Sequence, residues 1–215
     1  NPKDEISLTY LETLTIQLVK LAMYITRERV SFVEDIAKLA YENMLNISNG
    51  NEILEIKYKS SILDALWIPS VSDAKFSEEN IVELMMKKSL DDIMRGNTKI
   101  GPHQDDLEFF INNLEARTYA SQGQQRSIVL SLKLSEIHYL KQKTGDTPVL
   151  LLDDVLSELD KNRQLKLLEA INENVQTFIT TPSITDIKED LLEKAKVFKI
   201  DKGTIGEFLW RIITK

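Results

Sequence analysis

A run of aliphatic residues ends in two carboxylates: Val149-Leu150-Leu151-Leu152-Asp153-Asp154. In an open α/β sheet, ligands gather at the carboxyl ends of the strands. A buried strand closing on paired acids therefore puts negative charge where a ligand binds. In a phosphate-loop ATPase the first such acid holds Mg2+, often through water. The second orients the attacking water or accepts its proton. A strand that merely runs into a polar turn has the same pattern. The segment Ser121-Gln122-Gly123-Gln124-Gln125-Arg126 stands before a long helical stretch. A helix start offers free backbone N–H groups and the positive end of the helix dipole, both suited to phosphate. Gly123 lets a phosphate approach the backbone, and the Ser121 hydroxyl can donate. Ser121 and Gln124 also have the spacing of a capping box, which needs no ligand. Ser157-Glu158-Leu159-Asp160, directly after the paired acids, reads as a further helix start with Asp160 as its cap.

A different chemistry is open to the same acids. His103, Asp105 and Asp106 lie within one short segment. Together with Asp153 and Asp154 they could hold two metal ions, as a metal-dependent nuclease or phosphohydrolase does. That reading has no use for Ser121–Arg126. The chain has no cysteine, which excludes disulfides, thiolate zinc sites and cysteine nucleophiles. It has no Gly-x-x-x-x-Gly-Lys-Ser/Thr among its glycines, so no phosphate cradle is encoded here. The formal net charge is −7, whereas a simple backbone-neutralising DNA binder is usually basic. Arg27, Arg29 and Lys38 could meet phosphates or simply be solvated. No apolar run reaches the roughly 18 residues of a membrane span. The polar, acidic start Asn1-Pro2-Lys3-Asp4-Glu5 is unlike a signal peptide, and with no initial methionine the chain is expected to be part of a longer protein.

The elements that must position these residues follow from spacing. Lys3 to Asn49 contains neither Gly nor Pro, and apolar residues recur in threes and fours at Leu11, Leu14, Leu18, Leu21 and Ile25, then at Val33, Ile36, Ala40, Met44 and Ile47. One helix of roughly 40 residues would reach about 60 Å. The charged Arg27-Glu28-Arg29 is the one place where it could break. So narrow a stripe suggests an arm packed on another helix. Ile53–Lys59 alternates as a strand, and a polar loop follows. Ser77–Met94 is a capped helix stopped by Gly96. Leu107–Thr118 is a hairpin around Asn112-Asn113. A helix spans about Gln122–Lys143, with Leu130, Leu134 and Ile137 on one face. The apolar run Val149–Leu152 reads as a strand buried on both faces. Helices at about Lys161–Asn172 and Ile184–Lys194 alternate with strands at Val175–Thr180 and Val197–Ile200, the rhythm of a parallel α/β sheet.

The order of the three motifs resembles the signature motif, Walker B and D-loop of ABC-type ATPases. The finer likeness is to the RecF family. It is carried by Gly101-Pro102-His103-Gln104-Asp105-Asp106-Leu107, by Ser121–Arg126, by Leu150–Asp160 and by Val175–Thr181. The resemblance implies the C-terminal part of an ABC-type P-loop ATPase head, an α/β fold, with a long helical arm. Residues 1–50 would be the arm and 51–215 the head. Ser121, Gly123 and Gln124 would contact ATP bound to a partner subunit. Asp153 would hold Mg2+, Asp154 would be the catalytic carboxylate, and Asp160 would lie at the dimer interface. Thr181 stands where many ABC ATPases have a γ-phosphate-sensing His. The family usually has Arg where Gln104 stands. The resemblance further implies a cytoplasmic, ATP-dependent DNA-binding protein of replication, repair and the SOS response. Its ATP-driven homodimer would hold duplex DNA near single-strand gaps, with the RecR and RecO proteins as partners. ATPase activity is expected only when a Walker A segment is joined to this chain.

Overall fold

The computed structural model describes residues 5–155, 161–171, 175–184, 187, 192 and 195–207. It divides into two compact units, Asn1–Tyr139 and Leu140–Lys215. In the first, helix α1 spans Glu5–Ile47 without a break at Arg27-Glu28-Arg29. The cationic residues there are committed within the unit. Arg27 lies over the Phe76 ring, 5.2 Å from its centroid, and Arg29 pairs with Asp105.

Helix α1 serves two cores in succession. Its N-terminal half meets α2 (Ser61–Leu66) and α3 (Glu78–Arg95) through Val19, Ala22 and Met23, packed with Ile62, Phe76, Ile81 and Met85. Its C-terminal half meets a small sheet through Val33, Ala40 and Met44, packed with Leu54, Ile56, Ile111 and Ile128. Val33, Ile36, Ala40, Met44 and Ile47 are buried, as their spacing predicts. The upstream stripe behaves differently. Leu14, Leu18, Leu21 and Ile25 stay exposed, and the face one residue further along, Thr15, Val19, Ala22 and Thr26, is buried instead. That face is mostly small, Thr15, Val19, Ala22 and Thr26 with Met23 beside them, and it packs toward α2 and α3 while the leucine stripe is turned outward.

The sheet is antiparallel in the order β1-β2-β3, with β1 (Leu54–Lys59) paired along its length to β2 (Asp106–Ile111). Asn112 and Asn113 both take positive φ, 50° and 67°, and turn the chain into β3 (Leu114–Glu115) as a tight hairpin. The expected second hairpin strand is cut to two residues because helix α4 (Ala116–Tyr119) begins at once. The polar loop expected after β1 is instead α2, whose cap Ser60 accepts the Leu63 N–H and whose Ile62 and Leu63 are buried. Trp67 ends this helix in a left-handed conformation, φ 55°, and is 90% exposed. Helix α5 (Gln122–Thr144) buries Ser127, Ser131 and Ser135. Asn43 of α1 reaches across and donates to the Ser135 hydroxyl at 3.0 Å.

In the second unit, β4 (Leu150–Leu152) and β5 (Thr177–Ile179) form a parallel pair, with Leu151 opposite Phe178. Helix α6 (Lys161–Ala170) lies between them in sequence. Parallel pairing of strands separated by a helix is the α/β arrangement expected from the sequence. The expectation that β4 is covered on both faces is not met: Leu150 and Leu152 are buried, but Leu151 is 71% exposed, and Val149 and Phe178 are exposed beside it. Strand β6 (Phe198–Asp201) turns back through Lys202-Gly203 and pairs antiparallel with β7 (Thr204–Glu207). Positive φ at both turn residues, 49° and 80°, explains why a hairpin forms there. The helix expected near Ile184–Lys194 falls largely outside the described residues.

Candidate functional site

Asp153 and Asp154 stand just beyond the carboxyl end of β4, and Thr180 just beyond the carboxyl end of the parallel β5. Both acids are exposed. The strand ladder continues one step past β5, because the Thr180 N–H donates to the Leu152 carbonyl at 2.9 Å. The Thr180 hydroxyl then does two things. It donates to Asp153 Oδ1, and it accepts the Asp154 backbone N–H at 3.0 Å. Asp154 takes φ 52°, the left-handed region that Asp and Asn tolerate better than other side-chain-bearing residues. The Thr181 hydroxyl donates to the Ser183 carbonyl at 2.8 Å, closing a local turn. The family resemblance singles out Thr181; the residue that touches the acids is its neighbour Thr180. The signal missed is register: Thr180 follows Ile179, the partner of Leu152, and so falls one step past the pair, beside Asp153.

Ser121 and Gln124 form the reciprocal capping box. The Ser121 N–H donates to Gln124 Oε1 at 2.9 Å and the Gln124 N–H to Ser121 Oγ at 3.3 Å. This pairing holds the start of α5 in place. Ser121, Gln122 and Gln125 are exposed, and Gly123 and Gln124 are half-buried. The helix start is thus shaped by its own side chains and open at the surface of its unit. One turn in, the Ser127 hydroxyl donates to the Gly123 carbonyl at 3.0 Å.

The Gly101–Leu107 segment is a structural junction. The Asp105 side chain is 1% exposed beside the Arg29 guanidinium at 3.8 Å. Its Oδ1 accepts from the Ser61 N–H at 2.8 Å and the Ser61 hydroxyl at 2.9 Å, and its Oδ2 from the Tyr58 hydroxyl. Burial and the Asp105 carboxylate push the Tyr58 phenol up to about 12. Gly101 has φ 140°, and a Cβ there would meet the His103 ring at 3.0 Å, so glycine is required. His103 Nε2 lies 2.8 Å from the Thr98 carbonyl, which selects the tautomer protonated at that nitrogen. The Gln104 amide donates to the same carbonyl at 3.4 Å. Asp106 Oδ1 accepts the Leu107 N–H at 2.8 Å.

These bonds leave the metal-dependent nuclease reading without support. Both Asp105 oxygens are committed to Arg29, Tyr58 and Ser61. Among the described residues no group of three or more His, Asp or Glu side chains is placed to hold a metal ion. Asp160, with Ser157, Glu158 and Leu159, lies outside the described residues. The Asp153 carboxylate does fit a single hard cation. It is exposed at the sheet edge, its Oδ1 is oriented by Thr180, and among the described residues its Oδ2 has no partner.

No family model matches the chain. Relatives with assigned names do. The DNA replication and repair protein RecF of Streptococcus agalactiae serotype V is 46% identical over 198 residues, covering 92% of this chain and 51% of that protein. RecF of Ligilactobacillus salivarius is 42% identical over 198 residues, with the same coverage of 92% and 51%. RecF of Halalkalibacterium halodurans is 40% identical over 195 residues, 91% of this chain and 52% of that one. Among solved structures, the recombination mediator protein RecF-ATP of the RecFOR pathway superposes with a TM-score of 0.75 at 32% identity, covering 93% of this chain and 50% of that one. The corresponding RecF-ATPrS structure gives 0.71 at 34% identity, with coverage of 93% and 50%. No helix among the described residues is long and apolar enough to cross a membrane. The chain spans about half the length of the RecF proteins it matches, and over nearly all of its own length it belongs to the RecF family of DNA replication and repair proteins.

Proposed function

We propose that this chain is the signature- and Walker B-bearing part of an ATP-dependent DNA-binding protein, in which ATP joins two copies and their union gates DNA. The supporting observation is the carboxyl edge of the parallel β4–β5 pair, where Asp153 and Asp154 stand exposed directly after Leu152, whose carbonyl takes the last strand hydrogen bond. In this reading residues 1–50 act as an arm and 51–215 as part of the head. Asp153 holds Mg2+ through its carboxylate. When bound, that ion supplies charge neutralisation to the phosphates. Asp154 orients the attacking water or takes its proton. Ser121, Gly123 and Gln124 offer the hydroxyl, backbone and amide of a helix start to ATP held by the partner copy. Asp160 lies at the dimer interface. Thr181 serves as a phosphate sensor only if its hydroxyl turns away from Ser183.

The acidic balance of the chain favours DNA contact through a local surface or through the remaining length of the protein. The target in this reading is duplex DNA beside a single-strand gap, with RecR and RecO as partners in recombinational repair, in the cytoplasm. Without a phosphate cradle of its own the chain alone turns over no ATP.

The test uses the full-length protein and light scattering with and without ATP. Wild type dimerises with ATP. Ser121→Arg places bulk and charge where a phosphate must sit and abolishes the dimer. Asp154→Asn keeps the dimer and slows its dissolution by about 100-fold or more, the scale of a lost general base. An ATP-dependent dimer of undiminished affinity in Ser121→Arg would refute the reading.

A further inference from the structure

We infer that Thr180 is the positioning residue of this site: its side chain sets both acids at once, and its hydroxyl proton is committed to Asp153, not to a phosphate. The inference rests on the reading of Asp153 and Asp154 as nucleotide-site acids and deepens it.

A hydroxyl has one proton and two lone pairs. At Thr180 the proton goes to Asp153 Oδ1 and a lone pair takes the Asp154 N–H at 3.0 Å. The two bonds act on different features. The first fixes the Asp153 carboxylate and leaves Oδ2 as its oxygen without a partner among the described residues. The second holds the Asp154 backbone in its left-handed conformation, φ 52°, which sets where that side chain departs from the chain. Thr180 is itself held from two sides. Its N–H is tied to the Leu152 carbonyl at 2.9 Å, and a β-branched side chain has few χ1 choices. The spacing of β4 and β5 is therefore carried directly to the two carboxylates. Serine would keep the hydroxyl with a looser rotamer, and valine would keep the shape without the hydroxyl.

The test measures Mn2+ binding to full-length protein in the presence of ATP, by electron paramagnetic resonance of the free ion. Light scattering then gives the half-saturating Mg2+ for dimerisation, and a melting curve checks each variant's fold. Thr180→Val is expected to weaken Mn2+ binding by about tenfold or more, the usual effect of removing a group that orients a metal-binding carboxylate. Thr180→Ser is expected to restore it to within about threefold of wild type, since it returns the orienting bond. Half-saturating Mg2+ should rise and fall in parallel. Asp153→Asn marks loss of the site.

Wild-type affinity in Thr180→Val, with Asp153→Asn defective, overturns the role of Thr180 and leaves the nucleotide-site reading standing. A defect in Thr180→Val that Thr180→Ser fails to recover overturns it too, because shape and not the hydroxyl would then be at fault. Absence of ATP-dependent Mn2+ binding in wild type, or wild-type binding in Asp153→Asn, overturns the reading of the acids and the role of Thr180 with it.

Discussion

Tyr58 and Asp105 show what a single buried carboxylate does to its neighbours. In the folded chain the Tyr58 phenol donates to Asp105, and burial and that carboxylate raise its ionisation to about 12 from an ordinary 10.0. A raised value means that the fold favours the neutral phenol. The stabilisation is complete below pH 10 and is lost as pH climbs through 12. The urea midpoint should therefore decline over that interval in wild type. Tyr58→Phe should start from a lower midpoint, by about 1 kcal/mol for one lost hydrogen bond, and show a flatter decline. An identical alkaline slope in the two proteins would show that Tyr58 is not held neutral. The sequence marks Asp105 only as an acid near a histidine. Its bonding partners lie 44 and 47 residues away, and no local pattern announces such a contact. Thr180 was hidden for the same reason, since it lies 26 positions from Asp154 and is brought to it by the pairing of β4 with β5.

Among the elements, helix α1 separates two kinds of apolar residue that look alike in sequence. Met44 is fully buried against the sheet, whereas Leu21 is 64% exposed. Met44→Ala should cost about 3 kcal/mol, from lost burial and the cavity left behind. Leu21→Gln should change stability by no more than about 0.5 kcal/mol. Chemical denaturation of both variants checks the contrast, and equal losses would contradict the assignment of faces. Helix ends were the most legible features. Ser77 caps α3, Gly96 stops it with φ 72°, and Ser121 pairs with Gln124, all from local chemistry. The choice of face on α1 was not legible. Period fixes which residues share a stripe, but two stripes lie side by side here and packing selects the one with smaller side chains. Helix α2 was missed because it has only six residues, too few for a period to declare itself.

Across the whole molecule, burial differs between the two units. The first has two connected cores along α1, while in the second the buried apolar side chains among the described residues are Leu150, Leu152, Leu167 and Leu192. Backbone amides of β4 and β5 should therefore exchange with deuterium sooner than those of β1 and β2, by about tenfold or more, in line with lower local stability. Equal protection would mean that the second unit is held by more than its own described core. The parallel pairing of β4 with β5 was readable because strands alternate with helices in that part of the chain, and the acids at its edge because they follow directly on an aliphatic run. The exposure of Leu151 and Phe178 was not readable, since an apolar run states a demand for cover without saying whether cover is present. A further consequence follows from Trp67. An indole left 90% in water at the left-handed end of a short helix should act as a built-in optical reporter, its emission expected near the long-wavelength limit for tryptophan and separable from that of Trp210 by a Trp210→Phe change. Anything that comes to rest over it, whether a protein partner or the remaining length of the polypeptide, would shift that emission to the blue and shield it from iodide without any label being attached.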